Sequence, residues 1–178
     1  MQGIVSLLDD THEALVHALW EELERRFGLR GVYLTPYPHF SYHVAREYAA
    51  ARVRPVLRRL AAEGQACTVR TSGLGLFTGP SPVLYVPVVR SRALTEFQER
   101  VWEAVSPLAV EAVAYYEPDR WVPHITLGFG DVRGDLLAEV MRGWAERPFE
   151  WEFRIDSLAH ITDSGGKQEV GLRCDFEK

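Results

Sequence analysis

Apolar and polar positions along this chain repeat with two alternating periods. The order in which those periods change predicts a strand–helix–strand–helix–strand unit that then occurs a second time. "GIVSLL" (3–8) reads as a strand. Leu15, Ala18, Leu19, Leu23 and Phe27 then recur at helical spacing, with Thr11 expected as the cap and Gly28 as the stop. A second strand runs through "PYPHFSYH" (36–43). A second helix is expected from about Arg54 to Glu63, with Pro55 in its first turn, and a third strand over 65–77. After the turn "TGPSP" the order returns. Residues 83–89 read as a strand that Pro87 assigns to an edge or a bulge. Ser91 is expected to cap a helix carrying Leu94, Phe97, Val101, Ala104 and Val105, and Pro107 to stop it. A strand through "VPHITLGF" (122–129) follows, then a helix marked by Leu136, Leu137, Val140, Met141 and Trp144. Two strands, 149–161 and 167–177, joined around "DSGG", complete the pattern.

The halves, about 1–78 and 82–178, each hold one Pro-His-x-[Ser/Thr] strand near the middle, and His39 and His124 stand 85 residues apart, close to half the chain. Alternation along the first motif strand predicts His39, Ser41 and His43 on one face, with Phe40, Tyr42 and Val44 on the other. Two related halves facing each other bring the two histidines into one cleft.

A chain of 178 residues suits one domain, or two small lobes sharing a core. The longest uncharged run, 71–89, is broken by glycines and prolines and does not read as a membrane span. The start, "MQGIVSLLDD", lacks the basic residues and long apolar core of a signal peptide, so a cytoplasmic protein without membrane contact is expected. A formal net charge of −5 disfavours a long basic track for nucleic acid, but not a small anionic ligand held by a few local groups. Arginine outnumbers lysine 18 to 2, which suits phosphate but is equally what genome base composition produces. Cys67 and Cys174 lie far apart without metal-ligand spacing and are expected as reduced packing residues.

Each motif offers an imidazole that exchanges protons near neutral pH and a hydroxyl that donates to an anionic oxygen. Two histidines around one electrophile suit displacement at phosphorus. One neutral imidazole deprotonates the nucleophile and one imidazolium protonates the leaving oxygen, while the hydroxyls hold the non-bridging oxygens. Which histidine takes which role stays open. The chemistry needs no metal or other cofactor, and no HExxH motif or paired carboxylates accompany the histidines.

The doubled PHFS and PHIT motifs, with Trp121 upstream of the second, resemble the 2H phosphoesterase superfamily, in its bacterial branch named for 2′-5′ RNA ligase and RNA 2′,3′-cyclic phosphodiesterase. The resemblance implies an α+β fold over a single domain, 1–178. Two pseudo-symmetric lobes, each a mostly antiparallel sheet backed by helices, would line a central cleft. It makes His39 and His124 the catalytic pair and Ser41 and Thr126 the phosphate-binding hydroxyls. Serine replaces the usual threonine at 41, which keeps the donor and loses the methyl that restricts its rotamer. The implied activity is metal-independent opening of 2′,3′-cyclic phosphate ends of RNA or nucleotides, by a monomer, with 2′-5′ ligation as the reverse. The alternatives are hydrolysis of another cyclic or 2′-5′-linked nucleotide, or a nucleotide- or RNA-end-binding module without turnover.

His43 is either an accessory ligand or a packed strand residue, and its counterpart in the second motif is Gly128. Tyr115, Tyr116 and Trp121 precede the second motif and are candidates to stack on a base, or belong to the core. Arg46, Arg90, Arg92 and Arg120 are within sequence reach of a phosphate but equally suit a solvated surface. The late "HIT", His160 to Thr162, lacks the preceding proline and lies outside the repeat.

Overall fold

Strand pairing follows the alternation, but it crosses between the two halves of the chain. The computed structural model describes residues 1–176. In chain order the elements are β1 (Gln2–Leu7), α1 (Asp10–Phe27), β2 (His39–Tyr48), α2 (Ala50–Ala62), β3 (Cys67–Arg70), β4 (Gly75–Phe77) and β5 (Val83–Pro87). They continue with α3 (Arg92–Val105), β6 (Ala109–Ala112), β7 (His124–Gly128), α4 (Gly134–Trp144), β8 (Glu152–Ile155), β9 (Ser157–Ser164) and β10 (Lys167–Asp175).

All pairings are antiparallel. One lobe is a five-stranded sheet in the order β10-β9-β1-β2-β6. The other combines β4-β5-β7 with the β3-β8 pair, and a Thr71–Val88 bridge ties the two together. The exchange is reciprocal. β4, from the first half, pairs with β5, and β9, from the second, pairs with β1, while β3 and β8 pair with each other. Helices cross over too: α1 packs against β7 and α3 against β2. One continuous apolar cluster, from Ile4 to Phe176, fills the space between the sheets and helices of both lobes. The expected α+β, two-lobed architecture is what the structure has.

Several element boundaries differ from the pattern-based expectation. Asp9, not Thr11, caps α1, its carboxylate accepting from the His12 amide at 2.9 Å. The buried stripe is Val16, Leu19, Trp20 and Leu23, rotated so that Trp20 faces inward and Leu15 and Ala18 face out. Helix α2 begins at Ala50 because the Ala49 carbonyl already accepts from the Arg52 and Val53 amides, so Pro55 lies inside the helix. Ser91 caps α3 as expected, accepting from the Leu94 amide. The strand expected over 65–77 breaks into β3 and β4, and that over 149–161 divides at Asp156, where the chain passes from one sheet to the other. Pro87 ends a central strand; its carbonyl accepts from Ser72, so its missing donor faces the break between β3 and β4. β6 has no counterpart in the expected pattern, and Glu177, in the last expected strand, lies outside the described residues.

Candidate active site

Both motif strands open with the same local device. Proline holds the preceding residue in an extended conformation, which turns that residue's carbonyl back towards the histidine ring. His39 Nδ1 meets the Tyr37 carbonyl at 2.5 Å, and His124 Nδ1 meets the Val122 carbonyl at 2.7 Å. A carbonyl only accepts, so each Nδ1 carries the proton and each Nε2 keeps its lone pair. The proline carbonyls are held as well, Pro38 by the Leu8 amide at 3.3 Å and Pro123 by the Val88 amide at 2.9 Å.

A second device also occurs twice. Opposite β1, Ser41 pairs with Val5 but His43 with Ile4, which leaves Tyr42 as an extra residue. Opposite β5, Thr126 pairs with Tyr85 but Gly128 with Leu84, which leaves Leu127 extra. A bulge directly after the hydroxyl residue thus reverses the alternation in each motif strand. His39, Ser41 and Val44 line the cleft, as do His124, Thr126 and Phe129.

The face expected to unite His39, Ser41 and His43 is therefore not kept. His43 is fully buried, with Nδ1 2.7 Å from the Tyr48 hydroxyl and Nε2 3.2 Å from Ser106 Oγ, its ring against Trp102. Of the two readings for Trp121, the structure has the core one. Trp121 is 1% exposed, stacks on Tyr42 and offers no open face to a base. Its indole N–H instead donates to the Ser41 carbonyl at 2.8 Å. Trp20 on α1 does the same for the other motif, donating to the Thr126 carbonyl at 3.0 Å. Each hydroxyl residue is thus tethered by an indole from the opposite half.

Gln98, a polar residue in the apolar stripe of α3, donates to the carbonyls of Tyr42 and Tyr116 and joins the bulge to the cleft wall. That misplaced polarity was the legible signal for Gln98; Trp20 lies outside the expected stripe of α1 and carried no such signal. Tyr116 lines the cleft, and burial pushes its phenol up to about 12 against the pull of the Ser41 hydroxyl beside it. Arg120 also lines the cleft, its guanidinium over the Tyr115 ring. Arg90 holds the Trp121 and Pro118 carbonyls, while Arg46 and Arg92 pair with Glu111 and Glu96. His160 bonds to Gln2 and packs on Tyr48, away from the two motif histidines.

The two imidazoles differ in surroundings. His124 packs beside the Phe77 and Tyr85 pair, with ring centroids 4.9 and 5.1 Å away. Burial pushes His39 down to about 4 despite its bond to the Tyr37 carbonyl, and the charge on His124 pushes the same way. Burial lowers His124 also, against the bond to Val122. The cleft around them measures about 1040 Å³. Among the described residues no three His, Cys, Asp or Glu side chains converge as a metal site.

Over residues 9–167 the chain matches the 2′-5′ RNA ligase superfamily. The chain belongs to that superfamily. A crystal structure of the Thermus thermophilus protein TT0787 is similar at a TM-score of 0.68 and 17% identity, covering 98% of this chain and 97% of the other. A second crystal structure, of a phosphoesterase, has a TM-score of 0.60 and 13% identity over 99% and 98% of the two chains. A search of curated proteins found no match. At these identities the solved structures show a shared fold, while membership of the 2′-5′ RNA ligase superfamily supports phosphodiesterase-type activity. No helix is long and apolar enough to cross a membrane among the described residues.

Proposed function

We propose that this protein opens 2′,3′-cyclic phosphate ends of RNA or nucleotides by acid–base catalysis between His39 and His124. The observation that carries this reading is the repeated geometry: two imidazoles, each tethered through Nδ1, line one cleft together with the hydroxyls of Ser41 and Thr126. One neutral Nε2 takes a proton from water as the water oxygen bonds to phosphorus. The bond from phosphorus to the 3′-oxygen breaks, and the other, protonated imidazole gives that oxygen its proton, leaving a 2′-phosphate. The two hydroxyls donate to the non-bridging oxygens as their charge grows. A 5′-hydroxyl in place of water makes a 2′-5′ linkage by the same proton transfers.

The test is incubation with each nucleoside 2′,3′-cyclic monophosphate in the presence of EDTA. Ring-opened product is expected, and His39→Ala and His124→Ala should each lower the rate by roughly 10²–10⁴. Losses within a cooperating pair need not add. Saturable binding without turnover would instead mark a binding module, and a folded histidine variant with most of its activity would remove that residue from catalysis.

A further inference from the structure

The cleft is poor in charge for a protein expected to meet RNA. Among its lining residues Arg120 is the one Arg or Lys side chain, there is no Asp or Glu, and its guanidinium lies 5.3 Å from the centroid of the exposed Tyr115 ring. The terminal amino group, also at the cleft, pairs with Asp163. Beside Ser41 the floor is apolar, formed by Gly3, Val5, Val44 and Ile161. A Cβ added at Gly3 would stand 3.8 Å from both Ser41 Oγ and Val44, so the absent side chain leaves room next to the hydroxyl. Leu34, Leu76 and Phe129 line the cleft and remain exposed.

Among the described residues outside the cleft, the arginines divide between those paired with carboxylates and those without such a partner. Arg30 pairs with Glu24, Arg46 with Glu111 and Arg133 with Asp135, on a chain of net charge −5. A bound polynucleotide needs cations along its path, one for each phosphate it neutralises. A volume of about 1040 Å³ lies at the upper limit of small-ligand pockets, roughly 300–1,000 Å³.

We infer that the site is built for a short substrate carrying one cyclic phosphate, a nucleoside 2′,3′-cyclic monophosphate or a nucleotide of similar size, and that it gains nothing from further RNA. The uncharged part of that substrate lies beside Ser41, Arg120 supplies the cation, and within the cleft nucleotides beyond the first meet no further Arg or Lys side chain. This rests on the phosphodiesterase reading above and narrows its substrate class.

The experiment compares a nucleoside 2′,3′-cyclic monophosphate with oligoribonucleotides of two, four and eight residues ending in the same cyclic nucleotide, at 50 and 200 mM salt. We expect kcat/KM to stay within about threefold along the series. Its logarithm should fall with the logarithm of salt with the same shallow slope for every member, because no additional phosphate is neutralised as the chain lengthens. Arg120→Gln should lower kcat/KM by the same factor on the monophosphate and the octamer. A rise of tenfold or more with length, a slope that steepens with length, or a larger Arg120→Gln loss on the octamer would overturn the inference. Absence of turnover on the whole series would overturn the phosphodiesterase reading instead. Equilibrium titration of the same series then decides the size question: length-independent Kd supports it, and Kd falling with length refutes it.

Discussion

At the residue scale, the tethers on Nδ1 and the partial burial of both rings act on the same property, the proton on Nε2. His39 is held near 4 and His124 is lowered, so in the free protein both imidazoles are neutral at pH 7. Acid–base catalysis needs one of them charged. A lowered pKa means the proton is lost as pH rises through a lower value, and a phosphate anion nearby moves that loss back up. The profile of kcat/KM reports the free enzyme and that of kcat the complex. We expect a bell-shaped kcat/KM profile with its maximum below about 6.5, and a kcat maximum at least ~1 unit higher. Coincident profiles peaking above neutrality would contradict the lowering of the pair by its surroundings. The indoles act one step further back. Trp20→Phe and Trp121→Phe keep an aromatic ring, though a smaller one, and remove the N–H that positions the Thr126 or Ser41 carbonyl. Each should cost roughly tenfold in kcat with KM nearly unchanged. A loss of stability with kcat intact would make them packing residues only.

At the scale of elements, the cleft depends on how α1 is held over β7. Glu22 on α1 accepts from the Trp144 indole of α4 at 2.9 Å and from Arg147 and Arg26 at 2.8 and 2.7 Å. Partial burial raises its pKa, but the three donors outweigh it and hold the carboxyl at about 2, against an ordinary 4.5. Such a depressed group stabilises the fold fully above pH 4.5, and the contribution is lost as pH falls towards 2. Glu22→Gln should therefore destabilise by about 1–3 kcal/mol at pH 7, measured by urea denaturation. The gap between the variant and its parent should close as pH drops below 4.5; a gap independent of pH would mean that the carboxylate charge is not what matters. Gly31 serves the same junction. A Cβ there would come within 1.7 Å of the Phe129 carbonyl, so only glycine lets the turn after α1 meet the end of β7, where Asp131 receives the Arg30 and Gly31 amides.

At the scale of the whole molecule, the reciprocal exchange makes the two halves depend on each other. Without β9, strand β1 loses a neighbour; without β4, strand β5 does; and β3 and β8 have only each other within their named pair. Each motif also takes its indole from the other half. Fragments 1–78 and 82–178 should each lack cooperative unfolding alone, and on mixing should recover one transition together with the proposed activity on 2′,3′-cyclic phosphates. A fragment that folds cooperatively by itself would show that the exchange is dispensable.

The sequence by itself determined what depends on local spacing. Period-two and helical patterns placed the helices and strands approximately, Ser91 announced its cap, and the duplicated Pro-His-x-[Ser/Thr] strands singled out the four cleft residues, because those patterns concern neighbours a few positions apart. Tertiary structure decided what depends on partners distant in the chain. The bulges at Tyr42 and Leu127 are register shifts against β1 and β5, invisible in either motif strand alone, and they send His43 into the core and Val44 into the cleft. The division of 149–161 at Asp156 and the unforeseen β6 arise because these segments pair with strands from the first half. Trp20 lay outside the expected stripe of α1 and Trp121 read as a stacking candidate or core; only the meeting of the halves gives their N–H groups a motif strand to hold, since a buried indole donor must find an acceptor wherever the fold supplies one.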